Sequence, residues 1–432
     1  MNTPLPQQRA THFAKLLQTD LDRYKTLDFE GESLISTDYL FGEAKGQMFG
    51  ILVCTDSEGT EVVLKAFSGQ YDGEWDIPGW VGSVCDPKIF SSIMEESNQQ
   101  IHALTDQLQK TPEAKELGLQ RRELSVATLK RLYQLYSFRC IDQSTVTFAD
   151  VFGDTLPPTG TGECCAPKLL HYAFSHDLHP TSMVEFYYGA PNRSETKQHK
   201  AFYGPCDDKC KPLLKYMLGS DIVFCDEQIV VVDKPSGVLS VPGRSEAMKD
   251  CIEARVRRLF MQAPIQCAAH RLDMDTSGLL VLALTQASHR NLSMQFMHKE
   301  VEKEYIALLE GVIKEQKGII ELPFRLDVDH RPHQIYDPLQ GKWGTTVWEK
   351  LRVEPFRGDH LATRIRFIPQ TGRTHQLRVH SAHEKGLNHP IIGDRLYGRE
   401  ESSTPLHLHA CKLAFTHPVT QEHLCFISKA PF

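Results

Sequence analysis

One short run of the chain places reactive groups directly before a buried strand. The run HRLDMDTSG at residues 270–278 puts the carboxylate of Asp273 two residues after Arg271 and ends in a Thr-Ser-Gly turn. Six apolar residues, 279–284, follow at once. A loop that feeds a rigid strand can hold a reactive group in a fixed position. The chemistry open to Asp273 therefore depends on which other groups converge on it.

Three later clusters of polar residues are candidates to converge on this loop. The sequence PQTGRTHQLRVH at 369–380 predicts a glycine-led turn that opens a short helix. The cluster HPIIGDRLYG at 389–398 follows, and LHLHACKL at 406–413 alternates as a strand with outward polar groups would. We expect the helix of the first cluster to carry four polar side chains, those of Arg373, His375, Arg378 and His380.

A metal centre is one alternative use of these histidines and of the cysteines. His375, His380 and His383 are five and three residues apart, and the chain has no H-E-x-x-H pattern. The candidate cysteine ligands are Cys164, Cys165, Cys206 and Cys210. Their spacing departs from the C-x2-C pattern of zinc sites, so ordinary thiols are favoured and no metal is expected.

Two hydrolase chemistries are also weighed for the same run. An aspartic protease needs two carboxylates that share a proton, and no second loop matches Asp275-Thr276-Ser277-Gly278. A serine hydrolase at Ser277 would need G-x-S-x-G, which is absent. We therefore expect Thr276 and Ser277 to support the turn.

Five ordered motifs resemble those of the RluA-type pseudouridine synthases. They are H-R-L-D-x-x-T-S-G at 270–278, DKPSG at 233–237, KEY at 303–305, GRTHQLRVH at 372–380 and HPIIGD at 389–394. The stretch GVLSVPGR at 237–244 further resembles the RluA subgroup, which modifies uridines in 23S ribosomal RNA and in the tRNA anticodon arm. The resemblance covers residues 218–432 and implies an isomerase that converts uridine to pseudouridine in structured RNA. This reaction needs no redox change, so no cofactor is expected.

The resemblance also implies roles for individual residues. Asp273 is the implied nucleophile, and Arg378 is its implied ion-pair partner, in a bidentate pair that would keep the buried carboxylate charged. Tyr305 resembles the tyrosine that stacks on a uracil flipped out of the RNA. Contacts with RNA are implied for Arg271, Arg373 and His375, with Arg271 either on the RNA backbone or in the space that the flipped uracil vacates. The competing hypotheses are a non-catalytic RNA-binding or RNA-folding factor of the same fold and a metal-dependent hydrolase.

The elements that must position these residues form a separate domain. Over 218–432 strands outnumber helices, which predicts an α+β pseudouridine synthase fold with a mixed, largely antiparallel sheet. Residues 1–217 predict a separate α/β extension with a helical hairpin at about 88–136. Its role is open. Residues 1–220 have 21 Lys and Arg against 29 Asp and Glu, which argues against a strong phosphate-binding surface there but leaves room for a local patch.

Composition indicates a cytoplasmic protein. The net charge is −7, and the twelve cysteines form no compact framework, which favours reduced thiols. The first residues, MNTPLPQQ, show no signal-peptide pattern, and no apolar run approaches the ~20 residues of a membrane helix. RNA is the expected partner, no membrane partner is expected, and a monomer is favoured.

Overall fold

The computed structural model describes residues 4–29, 35–42, 45–110, 114–205, 209–358, 360–398 and 404–432. The chain divides into two compact units, Met1–Asp221 and Ile222–Phe432. None of the helices in the described ranges is long and apolar enough to cross a membrane. Cys206, one of the candidate metal ligands, lies outside the described residues.

The first unit combines helices with short antiparallel strands. Its helices are α1 (Gln8–Tyr24), α2 (Pro87–Lys110), α3 (Lys115–Tyr133), α4 (Phe148–Phe152), α5 (Cys165–Ser175) and α6 (Lys211–Met217). Its strands are β1 (Gln47–Thr55), β2 (Glu61–Phe67), β3 (Ser137–Arg139), β4 (Thr145–Thr147), β5 (His179–Tyr188) and β6 (Phe202–Tyr203). Four of these strands form an antiparallel sheet in the order β2-β1-β5-β6, and β3 pairs with β4.

Helical periodicity builds the core of this unit. Ala10, Ala14, Leu17 and Leu21 recur every three or four residues, so they share one face of α1, and that face packs into a core with Phe49 of β1. Helices α2 and α3 pack against each other in an antiparallel hairpin, in which the Thr128 hydroxyl donates to Ser97 at 2.8 Å. The apolar spacing of both segments accounts for this hairpin.

The second unit contains one large sheet. Its strands are β7 (Asp221–Cys225), which begins at the unit boundary, β8 (Ile229–Lys234), β9 (Ser277–Ala283), β10 (Glu302–Glu310), β11 (Lys317–Leu326), β12 (Gln334–Tyr336), β13 (Lys342–Pro355), β14 (Leu361–Pro369), β15 (Leu408–Thr416) and β16 (His423–Ile427). Its helices are α7 (Ile252–Leu259), α8 (Gln286–His298) and α9 (Gln376–Ala382). The strand order is β12-β11-β13-β14-β10-β15-β9-β8-β7, with β16 on β15.

The sheet is mixed and largely antiparallel, which confirms the predicted fold class. Strands β9 and β15 form a parallel pair, and their junction depends on Gly278. Gly278 has φ +116°, and a Cβ on it would lie 2.4 Å from the carbonyl oxygen of Ala410. Only glycine therefore allows β9 to approach β15 this closely where β9 begins.

Candidate active site

A cleft of about 760 Å³ opens where β9 and β10 begin and β14 ends. Residues from α8, α9 and the loops around them complete its wall. The cleft is lined by all six residues that the sequence singles out, namely Asp273, Arg378, Tyr305, Arg271, Arg373 and His375. The structure thus brings together groups separated by more than 100 positions in the chain.

The loop that carries Asp273, residues 270–276 (the aspartate loop), is held by short hydrogen bonds to residues 236–240. The Ser240 hydroxyl donates to the carbonyl of Leu272 at 2.8 Å and accepts from the Leu272 amide at 2.9 Å. The Ser236 hydroxyl donates to the carbonyl of Asp275 at 2.6 Å. These bonds fix the backbone on both sides of Asp273 and do not involve its carboxylate.

A fully buried lysine lies beneath the aspartate loop. The Lys234 ammonium donates to the carbonyls of Pro235, Val238 and Met274 at 2.9, 2.7 and 2.8 Å. Burial lowers the pKa of Lys234 to about 8, although the nearby carboxylate of Asp273 acts in the opposite direction. Lys234 belongs to the DKPSG motif at 233–237, but no role was predicted for it.

Arg378 lies beside Asp273, but its bidentate partner is a different carboxylate. Its Nε and Nη2 donate to Asp394 at 2.8 and 2.6 Å, and both side chains are buried. The remaining Nη1 lies 3.7 Å from Oδ2 of Asp273. The expected bidentate Arg378–Asp273 pair is therefore wrong in its geometry, because Asp394 occupies the fork of the guanidinium.

Asp394 is the site residue that sequence analysis missed. Besides Arg378, its Oδ1 accepts the amides of Leu396 and Tyr397 at 2.9 and 3.1 Å, so one carboxylate both closes a turn and orients the arginine. Burial alone would lower the pKa of Arg378, but the hydrogen bonds and charge of Asp394 more than offset it and raise that pKa. The motif HPIIGD was the available signal.

The second carboxylate of the run, Asp275, forms an ion pair with Arg395. Nη2 of Arg395 donates to both oxygens of Asp275, at 2.7 and 2.8 Å. The two carboxylates are about equally accessible, at 17% for Asp275 and 20% for Asp273, so their partners distinguish them. The two aspartates of the run thus differ: Asp275 anchors the loop, and Asp273 remains open to the cleft.

His375 and Arg373 lie before the helix rather than on it. Helix α9 begins at Gln376, and His375 has φ +54°, in the left-handed region. The Gln376 side chain accepts from the Arg373 amide at 3.0 Å and from the Thr371 hydroxyl at 2.7 Å, which holds a turn where we expected helix. This turn brings Nε2 of His375 to 4.0 Å from Oδ1 of Asp273.

Tyr305 is on β10, next to the bulge between Glu304 and Tyr305 in the pairing with β15. Burial raises the pKa of its hydroxyl, and the negative charge of Asp273 adds to that shift. Tyr305 is therefore a neutral aromatic ring at neutral pH, close enough to Asp273 to sense its charge. Arg271 and Arg373 are exposed at the cleft wall.

The histidines have separate partners. His375 Nδ1 and the Tyr397 hydroxyl lie 2.8 Å apart, the buried His380 ring packs edge-on to Phe324, and His383 packs on Tyr336. Burial lowers the pKa of His380 to about 4. In the described ranges, no group of three or more His, Cys, Asp or Glu residues is arranged to hold a metal ion.

His409 differs from the expected outward polar position on β15. It is buried, with 2% of its surface exposed, and hydrogen bonds with Ser277 and Ser428. The alternating pattern of residues 406–413 predicted outward polar groups, but the His409 ring is held between Ser277, at the start of β9, and Ser428, after β16. The prediction of an outward side chain is wrong for His409.

Comparisons with known proteins identify relatives of the half of the chain that contains this site. Residues 228–383 match the family model for RNA pseudouridylate synthase. The chain is 40% identical over 224 residues to the dual-specificity RNA pseudouridine synthase RluA of Haemophilus influenzae, covering 51% of this chain and 96% of that protein. It is 42% identical over 214 residues to the protein of the same name from Escherichia coli K12, covering 49% and 93%.

Among solved structures, human RNA pseudouridylate synthase domain containing 1 is 31% identical, with a TM-score of 0.41, covering 49% of this chain and 83% of that one. The relatives of 40% and 42% identity, matched over almost their whole length, settle the family. The chain belongs to the RluA-type pseudouridine synthases, isomerases that act on RNA.

Proposed function

We propose that this enzyme isomerises uridines in stem-loops of 23S ribosomal RNA, of the tRNA anticodon arm or of both, with Asp273 as the nucleophile. The observation that best supports this proposal is a contrast within the aspartate loop. Its backbone is held by Ser236, Ser240 and Lys234, whereas the Asp273 carboxylate faces the cleft. A preorganised loop with one open carboxylate suits covalent or electrostatic catalysis.

The reaction is an isomerisation, so its atoms balance within the nucleotide. The N1–C1′ bond of uridine breaks, the uracil rotates, and a C5–C1′ bond forms while the C5 hydrogen leaves as a proton and N1 gains one. Asp273 supports the step that frees the base, and the Arg378 cation lies 3.7 Å from its carboxylate. The neutral Tyr305 ring offers a face for stacking the detached uracil.

Recognition of RNA follows from the shape and charge of the cleft wall. A uracil in a stem or loop must be flipped out before Asp273 can reach it, at a cost of a few kcal/mol. A cavity of about 760 Å³ accommodates a nucleotide, and Arg271 and Arg373 are exposed at its wall. Together with His375 they provide the contacts to the RNA that offset this cost.

The choice of RNA rests on the relatives and on the motif at 237–244. The relatives named above are described as dual-specificity RNA synthases. In this proposal residues 218–432 form the catalytic domain and residues 1–217 an accessory region that adjusts which RNA is modified. In this proposal the enzyme works in the cytoplasm as a monomer. Size-exclusion chromatography with light scattering would check the monomeric state.

Release of tritium tests the proposed reaction. The full chain is incubated with total ribosomal and transfer RNA labelled at uridine C5, with and without EDTA. We expect release in both samples and pseudouridine at defined positions. Absence of release from both RNA pools would favour the alternative, a non-catalytic RNA-binding factor. Release that EDTA abolishes would instead require a metal.

A further inference from the structure

A chain of four side chains runs behind the aspartate loop. Ser277 Oγ lies 2.9 Å from Nδ1 of His409, and Nε2 of His409 lies 3.0 Å from Oγ of Ser428. The Ser428 hydroxyl in turn donates to Oδ2 of Asp233 through a short hydrogen bond. Ser277 and His409 are buried. The four residues come from the start of β9, from β15, from the segment after β16 and from β8.

The available hydrogens determine which group donates in each hydrogen bond of this series. The Asp233 carboxylate only accepts, so the single hydroxyl hydrogen of Ser428 is committed to it. His409 must then donate from Nε2 to Ser428, which leaves Nδ1 to accept the hydroxyl hydrogen of Ser277. Burial lowers the pKa of His409, although Asp233 opposes the shift, so the ring is neutral and carries one N–H.

Ser277 connects this chain to the reacting carboxylate. It is the first residue of β9, its backbone pairs with that of His409, and the preceding Thr276 amide donates to the carbonyl of Asp273 at 3.1 Å. We infer that His409 is a positioning residue, whose Nε2–H tautomer, set by Ser428 and Asp233, holds Ser277 and through it the end of the aspartate loop. The inference rests on the proposed role of Asp273.

The tautomer is measured directly by long-range ¹⁵N NMR of the histidine rings in the full chain. We expect His409 to be protonated on Nε2 alone, and Ser428→Ala to weaken that preference. Protonation on Nδ1 in the wild type would overturn the inference. This readout does not depend on turnover, so it separates a failure here from a failure of the Asp273 proposal.

Kinetics complete the test. His409→Phe keeps a ring but loses both hydrogen bonds, so kcat for tritium release should fall by about tenfold or more while KM stays within about twofold. His409→Gln, whose amide can still donate to Ser428, should recover part of the loss. The matched control is His417→Phe, since His417 is equally buried and its Nε2 lies 2.8 Å from Asp226. Equal kcat in folded His409→Phe and wild type would contradict the inference.

A second observation concerns the first unit. Helix α3 carries five Lys and Arg against two Glu, inside a region whose overall balance is acidic. Its outer face, opposite the buried Thr128, carries Lys115, Leu119, Arg122, Val126 and Lys130, and the exposed Glu116 and Glu123 flank it. All five are exposed, Leu119 at 56%.

The cations of this outer face are available. Arg131, on the flank of α3, pairs with Glu96 of α2 at 2.9 Å. In the part of the chain that the structure describes, Lys115, Arg122 and Lys130 have no carboxylate within ion-pair distance. At 1.5 Å per residue they span about 22 Å of helix. We propose that this outer face contacts the phosphate backbone of the substrate RNA, because its three cations outnumber the two flanking glutamates and lie along its length.

Two charge-matched double variants of the full chain test the outer face. Both are made in an Asp273→Asn background that binds without turnover, against unmodified tRNA and 23S RNA transcripts. Arg122→Gln/Lys130→Gln should weaken binding by about tenfold and lower the salt slope by about two. Lys88→Gln/Lys110→Gln, on α2 of the same hairpin, should change both much less. The proposal would be overturned if both double variants weakened RNA binding equally. It would also be overturned if Arg122→Gln/Lys130→Gln left the salt dependence of RNA affinity unchanged.

Discussion

Among the described residues, each unit of the chain buries one lysine completely, and the two lysines differ in what they hold. Lys168 of the first unit donates to the carbonyls of Phe67 and Gly69 at 3.0 and 3.4 Å, where strand β2 ends. Lys234 of the second unit donates to three carbonyls, one of them in the aspartate loop. The chemical device is the same, a desolvated ammonium that satisfies backbone oxygens.

The nearby carboxylates account for the functional difference. Glu163, whose charge acts on Lys168, is itself buried, with 7% of its surface exposed. Asp273, whose charge acts on Lys234, faces a cleft. A buried lysine therefore indicates a functional site only when the backbone it holds carries a reactive group open to substrate.

Replacement of each lysine by methionine should separate these roles. In Lys234→Met the three carbonyls lose their donor and the aspartate loop relaxes, so we expect kcat to fall about 100-fold, or ~2.7 kcal/mol. In Lys168→Met we expect unchanged kcat and a loss of about 1 to 3 kcal/mol in the stability of the first unit. The measurements are tritium release and hydrogen exchange. A similar loss of kcat in both variants would break the comparison.

Asp394 should come next in effect. Asp394→Asn removes the charge that orients Arg378, so the guanidinium turns toward Asp273 and kcat should fall about tenfold. Single-turnover tritium release measures the change. The control is Glu354→Gln, because Glu354 forms a similar bidentate pair with Arg364, at 3.0 and 2.6 Å. Activity in Asp394→Asn equal to that of the control would contradict the role of Asp394.

We also expect Lys234 to change how the stability of the protein depends on pH. Its pKa is about 8 in the folded chain and 10.5 without burial, so between these values the unfolded chain binds more protons. Stability of wild type relative to Lys234→Met should therefore rise as pH rises from 8 to 10.5, by roughly 3 kcal/mol in total. Hydrogen exchange of β8 and β9 amides at matched pH measures it. A flat difference would show that Lys234 is not desolvated.

Loss of the exposed ion pair between Arg395 and Asp275 should have the smallest effect on stability and on kcat. Arg395→Gln leaves the hydrogen bond from Ser236 to the Asp275 carbonyl in place. Because Arg395 is 57% exposed, we expect a change in stability below about 1 kcal/mol and kcat within about threefold of wild type. Urea unfolding and tritium release are the measurements. A tenfold loss of kcat would mean that Asp275 needs its partner.

Much of the site could be predicted from motifs, because local sequence encodes loops that precede strands. The strand predicted from the apolar run 279–284 is β9, within a few residues. The partner of Arg378 could not be predicted, since Asp394 reaches it from a separate loop. The burial of His409 likewise depends on side chains far away in sequence, those of Ser277 and Ser428. The pairing order of the strands is a tertiary property of the same kind.

The most direct test of the central claim is turnover by Asp273→Asn. If Asp273 is the nucleophile, the folded variant should release no tritium from C5-labelled RNA while its RNA affinity stays within about tenfold, or ~1.4 kcal/mol, of wild type. Near-normal release by this variant would remove Asp273 from catalysis and contradict the account.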